Sequence, residues 1–272
     1  MHCLQPSTNC FLSLSCSFVF SNYEHKASKD PITCITACES FLLIGRRSGE
    51  VLRVTLPHLS LEGRVTLRSE PRMLALNCKA TKMSVIDSQN AMSFWDFEAS
   101  SSGSSSGKSG GALAGEQSHP VNKDGKKYEI WDMLWSTDNP DLLSCMEKTR
   151  MLIFRGNKDH EEPVVSSGYL CQFSDLAVQC VQLDDIMRAP DNPEKDSLVM
   201  LETKTLSDTR SKLTNMSLQD AYEYIEAHSH PRLWRILAEA ALKQLDLLIA
   251  DKAFVWVGPP RSLSTVFSIS HL

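Results

Sequence analysis

The sequence predicts two architectures in series: small antiparallel β-blades, then an array of short antiparallel helices. Three observations carry this. An apolar run, a polar turn and a second apolar run recur at a fixed offset. The hydrophobic period changes from two to 3.6 at about residue 204. Finally, His230-Pro-Arg-Leu-Trp-Arg-Ile-Leu-Ala-Glu-Ala-Ala-Leu-Lys-Gln-Leu245 is the strongest helical stretch in the chain.

Residues 1–30 carry little pattern and stay unassigned. The run from Cys10 to Phe20 lacks the positive flank and cleavage site of a signal peptide, so it reads as a strand or as sequence foreign to the fold. From Pro31 the texture is β. Ile32–Thr36 and Phe41–Gly45 are strands, the turn Arg46–Gly49 follows, and Glu50–Leu56 and Val65–Leu67 continue the set. Gly49 supplies the positive φ that a tight hairpin needs. The arrangement returns in Lys82–Ile86, the turn Asp87–Asn90, and Ala91–Phe97. Asn90 falls opposite Gly49 at an offset of about 41 residues, within the range of a four-stranded propeller blade. A third copy has Ile130–Trp135, Asp141–Met146 and Arg150–Phe154.

The segment from Ala99 to Gly111 is nearly pure serine and glycine and cannot bury enough apolar area to offset its chain entropy. Residues 99–127 therefore read as a disordered loop between blades. Gly107-Lys-Ser lacks the preceding strand and following helix of a phosphate-binding loop. Tyr169–Phe173, Leu176–Leu183 and Ser197–Thr203 are further strands, with a loop at Ala189–Pro193. The prediction for residues 31–204 is a partial β-propeller of about three to four blades.

Residues 205–255 then read as about three helices. Ser217-Leu-Gln-Asp220 resembles a capping box and opens the first, which ends near His228. Pro231 suits the first turn of the second. There Leu233, Trp234, Ile236, Leu237 and Leu245 form a broad apolar face, and Ala238, Ala240 and Ala241 admit close neighbours. Asp246–Val255 is the third, stopped by Gly258-Pro-Pro260. Short links make such helices antiparallel, as in a solenoid or bundle. Residues 256–272 continue no helical pattern.

Composition excludes several functions. With 272 residues, 42% hydrophobic and 22% charged, the chain is of ordinary globular type. A net charge of −5 and a pI near 5.9 argue against nucleic acid. No run approaches the length of a membrane span. Nine cysteines without C-x-x-C read as free thiols. Eight histidines fall in no metal-binding spacing, and His230 beside a helix start reads as a neutral cap or an exposed side chain. Asp184-Asp185 and Glu161-Glu162 read as solvated edges, and no G-x-S-x-G elbow occurs. The expectation is no enzyme, with no catalytic, cofactor-binding or metal-binding residue. Trp95-Asp96 and Trp131-Asp132 are WD dipeptides of the kind propellers carry. Trp95-Asp96 lies near the end of its β-run, where a WD blade places its signature, whereas Trp131-Asp132 begins a run and is not read as the signature pair. Trp95, Trp131, Trp135, Pro231 and Trp234 are expected as structural anchors.

The stretch Trp131–Arg155 closely resembles a blade of the WD-repeat subunits of intraflagellar transport complex A. The likeness continues through Glu162-Pro163, Ser167-Gly-Tyr169, Asp191–Asp196, and His230 to Val255. It covers about residues 32–97 and 128–255. The resemblance implies two propellers followed by a long tetratricopeptide-like solenoid, of which this chain would be the closing blades of the second propeller and the first solenoid helices. It implies a non-enzymatic scaffold without cofactors, in the cytoplasm, at the ciliary base and along the axoneme. The implied roles are retrograde ciliary transport, ciliary entry of membrane proteins and cilium assembly. The implied partners are other complex A subunits and membrane-protein cargo. Residues 1–30, 100–127 and 256–272 do not look like that family. Most blades and solenoid helices are absent, so the expectation is a truncated or partial form that folds poorly alone. Two other classes remain open: a vesicle-coat subunit, since coat proteins share a helix like the one at His230, and a small α+β enzyme, which would need a deep pocket with opposed pKa shifts.

Overall fold

The computed structural model describes residues 30–98, 116–120, 125, 127–156, 160–188, 190 and 197–257. The readings made for residues 1–29, 99–115 and 258–272, including Gly107-Lys-Ser, fall outside them. The chain divides into two units, residues 1–129 and 130–272.

The first unit holds two antiparallel blades. One is β1 (Ile32–Ala37), β2 (Phe41–Arg46), β3 (Glu50–Thr55) and β4 (Leu61–Thr66), paired in that order. The other is β5 (Pro71–Leu76), β6 (Lys82–Asp87), β7 (Met92–Asp96) and β8 (Glu116–Ser118), again in sequence order. The second strands, β2 and β6, are buried along most of their length, so they read as continuous apolar runs. The outer strand β4 buries only Gly63 and Val65. Gly49 at φ 88° and Asn90 at φ 62° turn the two central hairpins. Leu43, Val51, Leu74 and Met83 join the blades in one core. Thr33 Oγ1 also donates to the Pro71 carbonyl at 2.6 Å.

The second unit begins with the blade β9 (Ile130–Trp135), β10 (Leu142–Glu147), β11 (Arg150–Arg155) and β12 (Val164–Val165). Every residue of β10 is buried. Ser144 Oγ in β10 donates to the Leu134 carbonyl at 2.9 Å, as Ser84 Oγ in β6 does to that of Ala75 at 3.4 Å. The same polar residue thus recurs in the same strand of two blades. The next blade has three strands, β13 (Tyr169–Ser174), β14 (Ala177–Val181) and β15 (Leu198–Glu202).

Five helices complete this unit: α1 (Leu183–Arg188), α2 (Lys204–Asn215), α3 (Leu218–Ala227), α4 (Pro231–Lys243) and α5 (Leu247–Val257). Side chains cap three of them. Thr203 accepts from the Leu206 N–H, Ser217 from that of Asp220, and His230 from that of Arg232. Pro231 occupies the first turn of α4. The buried stripe of α4 is Leu233, Trp234, Leu237, Ala238 and Ala241.

Several boundaries differ from the sequence reading. Among the described residues, four helices rather than about three fall in the segment read as helical, and α1 lies in the segment read as blade. The helix α2 is polar, with Leu206 the one fully buried apolar side chain, so its period was faint. The strands β5, β8 and β12 were not anticipated. β8 lies inside the segment read as a loop at 99–127, and an outer strand needs no apolar pattern. β4 begins at Leu61 rather than Val65. The strand read to Leu183 ends at Val181, and Leu183 opens α1.

Candidate functional site at the blade–helix junction

In the second unit, polar side chains from loops hold the helices against the blades. The loop between β9 and β10 carries Asp138. Its Oδ1 accepts from Ser136 Oγ at 2.5 Å, and its Oδ2 accepts from the Asp175 N–H at 2.6 Å. His230 Nε2 lies 3.5 Å from the same Oδ2. Because His230 Nδ1 accepts from the Arg232 N–H at 3.2 Å, the neutral ring carries its proton on Nε2, facing Asp138. The Arg232 side chain in turn donates to the Asp175 carbonyl.

Asp175 and Leu176 are the central pair of the β13–β14 turn, at φ 51° and 58°, as a type I′ hairpin requires. Leucine is an uncommon residue at positive φ. Leu176 is buried in the core and its carbonyl accepts from the Thr203 N–H at 3.0 Å, so packing and pairing hold it there.

Burial pushes the Asp138 carboxyl upward. Hydrogen bonds from His230, Ser136 and the Asp175 N–H more than reverse this and hold it well below the usual carboxylate range.

A second carboxylate marks the start of α2. Glu161 Oε2 accepts from the Lys204 N–H at 2.9 Å, while Oε1 accepts from Thr205 Oγ1 at 3.1 Å and Arg155 at 3.2 Å. A negative charge there also complements the helix dipole. Lys204 Nζ reaches Glu162 at 2.7 Å in solvent; that hydrogen bond and charge lower the Glu162 pKa and raise that of Lys204.

Beneath these contacts Phe173 and Val178 of the strands share one apolar core with Leu206, Trp234, Leu237 and Ile249 of the helices. The carboxylates at this junction act as acceptors for backbone and side-chain donors, which is the chemistry of a structural joint. Burial raises the Cys180 thiol to about 11 and that of Cys145 well above its ordinary value, so both stay protonated. Among the described residues no three His, Cys, Asp or Glu side chains are grouped to hold a metal ion. No helix among them is long and apolar enough to cross a membrane.

The residues singled out from sequence lie apart. Trp95 packs against the core of the first unit. In the second unit, Trp131 donates its Nε1–H to the Lys148 carbonyl at 3.1 Å and meets Tyr169 edge-on at 5.1 Å. Trp135 is buried in β9. Pro231 is exposed at the start of α4. Trp234 is 1% exposed, donates to Ser229 Oγ at 3.0 Å, meets Tyr222 edge-on and stacks on Trp256 at 5.8 Å. The structure thus brings Trp234 and Pro231 to the junction and packs Trp131 against the same core, while Trp95 belongs to the core of the first unit. Sequence reasoning missed Asp138 and set Glu161 aside as a solvated edge. The only signal for the junction was His230 immediately before a helix-starting proline.

Blades of this kind, followed directly by capped helices, define a WD-type propeller fragment with a C-terminal helical region. The sequence profile described as the WDR35 second beta-propeller matches residues 12–202, so the chain belongs to that family. The match takes in residues 12–30 and 100–127, which the resemblance read from the sequence leaves out. WD repeat-containing protein 35 of Homo sapiens is 41% identical over 230 residues, and that of Rattus norvegicus 40% over the same length. These alignments cover 85% of this chain but 19% of each relative, so the chain spans about a fifth of their length. Among solved structures, the Myceliophteria thermophila Cps50 (Swd1) beta-propeller domain aligns with 60% of this chain and 54% of its own, at 11% identity and a TM-score of 0.44.

Proposed function

We propose that this chain is a non-enzymatic scaffold element of intraflagellar transport complex A. Its helices would be the first of a tetratricopeptide-like solenoid, continuous with the closing blades of a propeller. The observation that carries the reading is the junction itself. The blade strands and the helices share one core, and the loop carboxylates Asp138 and Glu161 are committed to joining them. Such a joint fixes the direction in which a helical array leaves a propeller, as a scaffold with several partners needs. The partners on this reading are other complex A subunits and membrane-protein cargo. The place of action is the cytoplasm, ciliary base and axoneme, and the process is retrograde ciliary transport, ciliary entry of membrane proteins and cilium assembly.

A tagged pull-down of the chain from ciliated cells, with complex A subunits quantified, tests this. Recovery of those subunits above an untagged control supports the assignment. Recovery of vesicle-coat subunits and dilysine-tailed cargo in their place overturns it in favour of a coat scaffold. Recovery of neither, from chain that is soluble and folded, also overturns it.

A further inference from the structure

The blade β13–β15 has three strands where the other three blades have four, so among the described residues β15 is a sheet edge. An edge strand presents N–H and C=O groups of alternate residues to any further strand. Folded proteins normally blunt such an edge with charge, proline, a bulge or short length. The outer strands of the other three blades are blunted in these ways. β4 carries Glu62 and Arg64 and pairs with β3 across a register shift. β8 is three residues long and β12 two. β15 reads Leu-Val-Met-Leu-Glu and pairs with β14 in unbroken register along its whole length. Its one charge, Glu202, stands at its end and is paired with Arg210 at 3.0 Å.

The side chains of this edge suit another strand. Leu198 and Met200 share one face and are 48% and 59% exposed, while the half-buried Val199 and Leu201 share the other. An incoming strand therefore finds apolar neighbours on both faces, and such cross-strand pairs are what stabilise a sheet. Met200 adapts its shape to different partners. Edge length decides the class of occupant. The five residues of β15 span about 17 Å. Two copies meeting edge to edge over that length would bury far less than the ~1,200 Å² of a stable interface. A single extended segment needs only the backbone ladder and a few side-chain pairs. In the other blades the fourth strand runs antiparallel to the third, which sets the direction of the newcomer.

We propose that β15 takes an extended segment of a partner polypeptide, antiparallel to it, as the fourth strand of this blade. The segment is free of proline and apolar at the positions beside Leu198 and Met200. Strand addition here does not depend on which assembly the scaffold joins, so loss of the complex A assignment leaves it standing.

The probe is a short peptide of alternating valine and threonine with lysine at each end. Its control carries proline at two adjacent central positions, which removes a donor from each edge of the peptide. Hydrogen exchange of the β15 amides that face away from β14 is the readout. In the full chain the valine–threonine peptide is expected to slow them about fivefold, and the proline peptide not at all. Met200→Lys puts a charge on the edge and is expected to abolish this protection, whereas Met200→Leu keeps it. Unchanged exchange in β14 shows that the blade is intact in both variants. No protection by the peptide, equal protection by the proline control, or protection that survives Met200→Lys overturns the proposal. So does protection present without peptide: a second copy is the occupant if it grows with protein concentration, and the chain itself if it does not.

Discussion

The Asp138 carboxylate and the His230 imidazole stand 3.5 Å apart and tie the β9–β10 loop to the first turn of α4. The same carboxylate oxygen accepts the Asp175 N–H, so one side chain joins two blades and a helix. Replacing Asp138 with alanine leaves the buried His230 N–H without its acceptor, while the exposed Asp175 amide turns to water, and an unmade buried hydrogen bond costs about 1–3 kcal/mol. Urea unfolding of the variant is expected to show a loss in that range, and a smaller loss for Asp138→Asn.

The same carboxylate sets a pH dependence. Its folded pKa lies below its unfolded value, so the stabilisation is fully present above the unfolded carboxylate pKa of about 3.9 and is lost as pH falls toward the folded one. The difference in stability between the parent chain and Asp138→Ala is therefore expected to be constant from pH 7 to 5 and to shrink below pH 4. A difference that grows on acidification would contradict this assignment.

Trp234 is the largest fully buried side chain among the described residues, and it supports α3 through Tyr222 and α5 through Trp256. Trp234→Ala is expected to cost about 3–5 kcal/mol in chemical unfolding. Trp234→Phe keeps most of the apolar area but leaves Ser229 without its donor, so its cost is expected to be about half as large.

Turn chemistry separates two equivalent hairpins. A Cβ on Gly49, at φ 88°, would sit 2.8 Å from the Leu67 carbonyl oxygen. Gly49→Ala is expected to destabilise the first unit by more than about 1 kcal/mol in a thermal or urea melt. Asn90→Gly places the more permissive residue at an existing positive φ and is expected to stay within about 0.5 kcal/mol of the parent.

Glu161 and Glu162 are neighbours with different consequences. Glu161→Ala removes the acceptor for the Lys204 N–H, Thr205 and Arg155, and is expected to cost about 1–3 kcal/mol. Glu162 pairs with Lys204 in full solvent. Its replacement by alanine is expected to change a urea midpoint little, with the residual effect fading as salt is added.

The blade cores were legible in the sequence because their demands are local. β2–β3, β6–β7 and β10–β11 each join two apolar runs through a turn with a residue at positive φ: Gly49, Asn90 and Lys148. Outer strands such as β8 and Val164-Val165 make no such demand, and a short polar run there looks like loop. The helix α2 was faint because Thr205 and Thr209, not apolar residues, share its buried face with Leu206. The α4 helix was plain from Pro231 and the stripe from Leu233 to Ala241. The junction itself was not legible. Asp138, Asp175 and His230 belong to separate elements, and no local pattern brings them together before the chain has folded. Glu161 beside Glu162 looks like a charged edge until α2 places its first amide against one of them.

The central claim is that the last blade and the helices form one structural joint. Native-state hydrogen exchange of the intact chain tests it most directly. The account predicts that the slowest amides of β14 and α4 open with the same free energy and that Asp138→Ala lowers both together. Amides of α4 that open well before those of β14, unaffected by Asp138→Ala, would contradict it.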